Sequence, residues 1–221
     1  MTADDLAEIF GEIYERDDWT LVDADDAVSR SGLGSNLEQT QTLRRELPPL
    51  LRELGVRSML DIPCGDMFWM SRVDPGVDAY IGADVVPAVV ERNRRLFAGP
   101  GREFRVIDLV RDDLPLVDLI FSRDCLVHLS NDHAKLALAN VRRSGAEYLA
   151  ATTFTERTWN RDIAAGDWRP INLCKPPFNL PDPIRLLNER CTEVYFVERD
   201  GKTIELRFPD KSIAVWRIAD I

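Results

Sequence analysis

From residue 57 onward, short apolar and β-branched runs alternate with amphipathic stretches, the order that builds a parallel sheet covered by helices on both faces. Residues 57–62 (RSMLDI), 79–85 (AYIGADV), 104–109 (FRVIDL), 117–122 (VDLIFS) and 148–153 (YLAATT) read as five strands. Between them, 87–97 carries Val89, Val90 and Leu96 behind Pro87, where a first helical turn tolerates the missing N–H. Residues 131–143 place Leu136, Leu138 and Val141 on an inner face, with Ser130 as N-cap. Upstream, leucines at 37, 43, 47, 50, 51 and 54 predict a helix over the sheet that Pro48 and Pro49 should break or restart. Leu6, Ile9, Phe10, Ile13 and Tyr14 predict one more helix. Residues 155–190 have no regular period and gather prolines between Pro170 and Pro183, and a long ordered loop in a compact domain usually serves function. Residues 192–197 and 212–218 read as strands flanking a turn at Asp200-Gly201.

Composition narrows what such an α/β domain can do. The 221 residues carry 28 basic and 38 acidic side chains, a net charge of −10 that opposes a phosphate backbone, so nucleic acid is not expected as a partner. No apolar stretch reaches the length of a membrane span. Residues 1–10 hold three acidic residues and no basic one, unlike a secretory signal, which leads us to expect a cytoplasmic protein. Cys64, Cys125, Cys174 and Cys191 include no Cys-x-x-Cys, and His128 and His133 are five apart, so neither a disulfide framework nor a metal site is expected. Only Lys135, Lys175, Lys202 and Lys211 are lysines; the arginine excess reads as a coding-composition effect.

The sharpest local feature is the run Met59 to Asp66 (MLDIPCGD), read as an apolar strand, a tight turn with one glycine and a helix starting near Asp66. In an open α/β sheet such a turn lies at the carboxyl end of the strand, where ligands bind. A dinucleotide site would need G-x-G-x-x-G, and Asp61 and Asp66 would repel its pyrophosphate, so an NAD-dependent oxidoreductase is the weaker reading. A nucleoside with a positive end and no phosphate suits the turn better, and S-adenosylmethionine is such a ligand. Gly65 would let backbone close over it, Asp84 at the end of strand two would accept from its ribose hydroxyls, and Asp108 would accept from the adenine amine with Leu109 over the ring. Phe68 or Trp69 could face the sulfonium.

These residues resemble the class I S-adenosylmethionine-dependent methyltransferases over about residues 57–153. DIPCGD matches the motif I turn, Asp84 the acidic end of strand two, Val106 to Leu109 the adenine-side segment, and DLIFSRDCLVHL (118–129) the fourth motif. Where the family usually has a second glycine, this chain has Pro63. A bacterial subgroup is also similar in Ser31 to Ser35 (SGLGS) and Gly166 to Leu173 (GDWRPINL).

The resemblance implies a Rossmann-like fold with a seven-stranded, mostly parallel sheet. It implies one methyltransferase domain over 1–221, with a helical cap or lid at 1–55, a cofactor core at 56–153, an acceptor-side insert at 154–191 and C-terminal strands at 192–221. The cofactor set is then Asp61, Pro63, Cys64, Gly65, Trp69, Asp84, Val85, Asp108, Leu109 and Arg123. Cys64 and Cys125 have no activating base nearby in sequence and read as packing residues. His128 lies four after Asp124, on one face if that segment is helical, and an imidazole oriented by a carboxylate is a natural general base. Ser31 to Ser35 form a linker or a lid, with Thr40 capping or touching the same ligand group, and Asn160, Asp162, Trp168, Arg169 and Asn172 suit an acceptor pocket. The expected reaction is methyl transfer to an oxygen, hydroxyl or carboxylate, of a small molecule or peptide, by a monomer or homodimer. N-methylation and a non-catalytic S-adenosylmethionine-binding protein are the alternatives.

Overall fold

The computed structural model describes residues 5–19, 28–199 and 201–221. Its main sheet has seven strands in the order β3-β2-β1-β4-β5-β9-β6. They are β1 (Ser58–Asp61), β2 (Ala79–Asp84), β3 (Arg102–Val106), β4 (Leu119–Ser122), β5 (Tyr148–Phe154), β6 (Arg185–Asn188) and β9 (Lys211–Arg217). β1 to β5 pair in parallel, and β9 runs antiparallel between β5 and β6. A separate hairpin of β7 (Val194–Arg199) and β8 (Lys202–Arg207) is inserted before β9.

Alternate residues of each central strand feed two cores, which is why these strands read as continuous apolar runs. Leu60, Ile120, Leu149 and Trp216 pack with α4 (Asn131–Arg143) and with Leu6 of α1 (Leu6–Glu15). Met59, Leu119, Tyr148 and Val215 pack on the other face with α2 (Gln41–Glu53) and α3 (Pro87–Phe97). The two-layer coverage is the α/β architecture expected from the pattern.

Several details depart from that pattern. Pro48 and Pro49 sit inside an unbroken α2. Leu43, Leu47 and Leu51, one turn apart and fully buried, hold the helix against the sheet and override the two missing N–H donors. Leu96 and Leu136, read as inward, are more than half exposed; Asn93 and the alanines Ala134 and Ala137 take the close-packed positions instead. β3 ends three residues earlier than expected, leaving Asp108 in the loop beyond it. No α-helix begins near Asp66, only a single 3-10 turn over Met70–Arg72. Residues 155–184 have no helix or strand, but β6 lies within the stretch read as loop.

The C-terminal strands do not pair with each other. β7 turns back into the unexpected β8, while β9 adds to the main sheet, because its buried run Lys211 to Trp216 needs cover on both faces. Of the expected turn, Asp200 lies outside the described residues. Leu47→Ala should cost about 2–5 kcal/mol, since it removes a fully buried side chain at the centre of the α2 seam, read from urea unfolding midpoints; a cost below about 1 kcal/mol would mean that α2 is not held by this stripe.

Candidate functional site

β1 and β4 are neighbours although β2 and β3 intervene in the chain, so the strand order reverses there, and the crevice beyond their carboxyl ends is where open α/β sheets bind ligands. Asp61 ends β1 and Asp84 ends β2; both are 3% exposed. Burial raises the Asp61 carboxyl to about 7, against the stabilising hydrogen bond donated by the Tyr80 hydroxyl. Burial raises Asp84 to about 6, although the Gly65 and Val86 N–H groups donate to its oxygens at 3.2 and 3.0 Å.

Gly65 adopts a φ of +55°, and a Cβ built there would lie 2.5 Å from Ser31 Oγ. The turn is thus made for glycine on both backbone and contact grounds. Ser31 belongs to a segment latched onto this turn by Asp66. Its carboxylate accepts from Ser29 Oγ and from the Arg30 N–H, while the Asp66 N–H donates to Ser31 Oγ. Tyr14 Oη lies 2.7 Å from the same Ser31 Oγ. Residues 31–35 therefore form a cover held over the turn, with α1 behind it.

The cavity under that cover is lined by Asp61, Pro63, Cys64, Gly65, Trp69, Asp84, Val85, Asp108, Leu109 and Arg123, the whole expected cofactor set, together with Ile107, Phe121, Cys125 and Leu129. Asp108 also closes a local turn, accepting from the Val110 N–H at 2.8 Å. Trp69 presents one face to the cavity and packs edge-on against Phe121, with the Arg123 guanidinium 5.7 Å from its ring. Phe68 does not line the cavity; Arg72 lies over its ring instead. Burial raises the thiols of Cys64 and Cys125, the latter to about 12, so neither is a nucleophile at neutral pH.

Beyond the first cavity lies a second, of about 230 Å³, which shares Trp19, Ser31, Asp124 and His128 with it. His128 sits in a 3-10 turn, not an α-helix, and its orienting partner is not Asp124. Its Nδ1 is 2.9 Å from the carbonyl of Asp167, which can only accept, so Nδ1 carries the proton and Nε2 is left with its lone pair. The insert is moored there, with the Gly166 and Arg169 N–H groups donating to the His128 and Val127 carbonyls. Desolvation lowers the His128 pKa below its ordinary value, keeping the ring neutral at pH 7.

Asp124 instead joins a buried ionic cluster. Lys211 Nζ is 2.7 Å and Arg123 3.2 Å from its carboxylate, and Arg123 also binds Glu189 at 2.7 Å. Burial opposes ionisation here, but Lys211 and then Arg123 overcome it and hold Asp124 far below the usual carboxylate range. A carboxylate so paired is a poor base.

Four of the five expected acceptor residues are elsewhere. Asn160 donates to the carbonyls of Asn172, Lys175 and Pro176. Asn172 donates to those of Thr155 and Arg157 and accepts from the Cys174 N–H. Arg169, fully buried, donates to the carbonyls of Leu126 and Val127 and to Asn131 Oδ1. None of the three lines either cavity. A coil segment has no ladder for its carbonyls, and these polar side chains supply the missing donors. Asp162 does likewise, accepting from the Asn131 and Ile163 N–H groups, and Thr40 is buried against the Asn36 carbonyl.

Trp168 does line the second cavity, stacked on Tyr195 at 5.6 Å and edge-on to Phe208. The reading from sequence missed Trp19, Glu193, Tyr195, Phe208 and Lys211 there. Lys211, a rare lysine opening an otherwise apolar strand, was the one visible signal. Among the described residues no group of side chains is arranged to hold a metal ion, and no helix is long and apolar enough to cross a membrane.

No protein-family model matches the chain, and no curated protein matches it. Solved structures do. Magnesium protoporphyrin IX methyltransferase from Synechocystis PCC 6803, with bound S-adenosylmethionine, superposes over 97% of this chain and 98% of its own, at 12% identity and a TM-score of 0.54. The N-methyltransferase NodS from Bradyrhizobium japonicum WM9, with bound S-adenosylhomocysteine, covers 97% and 98% at 20% identity and a TM-score of 0.53. The methyltransferase domain of bacterial CtHen1-C aligns over 53% of this chain and 66% of its own, with a TM-score of 0.46. The first two likenesses show the Rossmann-like class I methyltransferase fold.

Asp61 allows a test of the burial described here. Its folded-state pKa is above the unfolded value, so its contribution to stability is full below about pH 3.8 and is lost as pH rises through about 7. In Asp61→Asn that loss disappears, and stability relative to the parent should improve by on the order of 2 kcal/mol between about pH 5 and about pH 8 in ligand-free urea unfolding. A difference independent of pH would show that the carboxyl titrates alike in both states.

Proposed function

We propose that the chain is an S-adenosylmethionine-dependent methyltransferase that acts on a hydroxyl oxygen of a small molecule. The residues of the first cavity fit the cofactor. Its polar groups include the carboxylates of Asp61, Asp84 and Asp108 and the hydroxyls of Tyr14, Ser31 and Ser35, suited to ribose hydroxyls and an ammonium. Its one strong cation, Arg123, is already committed to Glu189 and Asp124. Asp84 would accept from the ribose hydroxyls, and Asp61 would face the ammonium. Asp108 and Leu109 would meet the adenine and Trp69 the sulfonium side, while the Ser31 to Ser35 cover would close over the amino-acid end. When bound, the cofactor supplies a methyl group on a sulfonium, open to in-line displacement, a reaction in which alignment of the two partners provides much of the rate.

The observation that carries the hydroxyl reading is the placement of His128. It stands on the wall shared by both cavities, neutral, with Nδ1 tied to the Asp167 carbonyl and Nε2 free to take a proton. A carboxylate acceptor would need no base, and a base held in one tautomer at the junction would then have no task. Asp124 serves as a positioning residue, fixing Lys211 and Arg123 beside the junction rather than moving protons.

Thermal unfolding with S-adenosylhomocysteine or NAD tests the cofactor. A ligand at 100 times its Kd adds about 2.7 kcal/mol, a rise of about 5–10 °C for a chain of this size. The rise should occur with S-adenosylhomocysteine alone and vanish in Asp84→Ala; a shift with NAD only, or with neither, would contradict the proposal. His128→Ala should keep the S-adenosylhomocysteine shift and slow methyl transfer to a hydroxyl acceptor at least about 100-fold. Near-normal turnover would remove His128 as the base.

A further inference from the structure

The second cavity carries an imbalance of charge that its own residues do not resolve. Asp124, Glu193 and Lys211 line it, and behind them Glu189 and Arg123 join the same cluster, so that three carboxylates meet two cations. Asp124 is paired with Lys211 and Glu189 with Arg123. Among the described residues Glu193 forms no ion pair within 4 Å: the Tyr195 hydroxyl reaches its carboxylate, Oε2 accepts a weak bond from the Cys191 thiol at 3.5 Å, and Oε1 is buried without a partner. A buried carboxylate oxygen left unpaired in the native state is costly unless something else comes to it.

What surrounds Glu193 has a definite chemistry. Trp19, Phe154, Trp168, Tyr195 and Phe208 line the same cavity. Aromatic faces attract cations and repel anions, and next to an unpaired carboxylate they make a receptor for an organic ammonium. A Cβ added at Gly34 would lie 3.3 Å from Lys211 Nζ, 3.4 Å from Asp124 Oδ2 and 3.6 Å from Glu193 Oε1, so the glycine leaves open the place where these groups converge. His128 lines the same cavity, on the wall shared with the first.

We infer that the methyl acceptor is an aromatic or other flat small molecule carrying a protonated nitrogen. Its ammonium docks against Glu193 and the ring faces, and its hydroxyl lies by His128 Nε2. The inference rests on the methyltransferase reading for the word acceptor, but the cation site stands on the cavity alone. An anionic acceptor is disfavoured, because Lys211, the one cation that lines the cavity, is already held by Asp124.

Three phenols of similar size serve as probes: tyramine, 4-ethylphenol and 4-hydroxyphenylacetate, titrated by tryptophan fluorescence with and without S-adenosylhomocysteine. Tyramine should bind best, at least about tenfold tighter than 4-hydroxyphenylacetate, with 4-ethylphenol between them. In Glu193→Gln the preference should fall to about threefold or less with the S-adenosylhomocysteine melting shift intact, and Glu193→Asp should keep the preference for the amine. Equal or tighter binding of the acid, no binding of tyramine, or a preference that survives Glu193→Gln would overturn the inference. A wild-type protein that prefers tyramine yet ignores S-adenosylhomocysteine would support the cation site and count against the methyltransferase reading, so the two fail separately.

Discussion

The fold is organised around the cost of burying charge at the carboxyl ends of β1 and β2. Asp61 and Asp84 stand on adjacent parallel strands, and burial has pushed both toward the neutral form. Apolar residues would pack these positions at less cost. The surroundings soften the burial without removing it: the Tyr80 hydroxyl serves Asp61, and backbone N–H groups from the Gly65 turn and from Val86 serve Asp84. In the proposed function, a nucleoside with hydroxyl donors and an ammonium would restore what desolvation took away.

The cover over the turn follows from the same constraint. Asp66, second acid of the β1 region, is spent on Ser29 and Arg30 and thereby fastens the segment whose Ser31 oxygen fills the space left by the missing Gly65 Cβ. The insert after β5 plays the matching part on the far side. Its polar residues bond the insert's own carbonyls and those of the loop after β4, and so hold the Asp167 carbonyl against His128. Scaffold and chemistry are thus divided along the insert: Asn160, Arg169 and Asn172 shape it, while Trp168 and the Asp167 carbonyl face the site.

This division explains what was legible in the sequence. The first cavity is built from strand ends, where an apolar run followed by an acid or a glycine is a local signal, and all ten residues that the resemblance implies line it. The helix expected after Asp66 was not legible correctly, because the turn is stabilised by residues 29–31 and not by its own capping. The second cavity gathers Trp19, Trp168, Glu193 and Lys211 from distant parts of the chain, and no spacing announces such a meeting. Polar residues in a proline-rich loop looked like a pocket because backbone satisfaction and ligand binding use the same side chains. β8 was hidden for a related reason: with Lys202, Ile204 and Glu205 exposed on a two-stranded hairpin, it has little apolar face to display.

The central claim is that Asp84 binds ligand as a carboxylate that burial holds near neutrality. Calorimetric titration of S-adenosylhomocysteine across pH tests it directly, since the buried acid must lose its proton to accept two hydroxyls. Affinity should rise by up to about 100-fold per pH unit below about 6, where both Asp84 and Asp61 must lose a proton, and by about tenfold per unit from there to about 7, where only Asp61 must; Asp84→Asn should keep the Asp61 slope and lose the steeper part. An affinity that is flat with pH in the wild-type protein, or an Asp84→Asn profile as steep below about 6 as that of the wild type, would contradict the account.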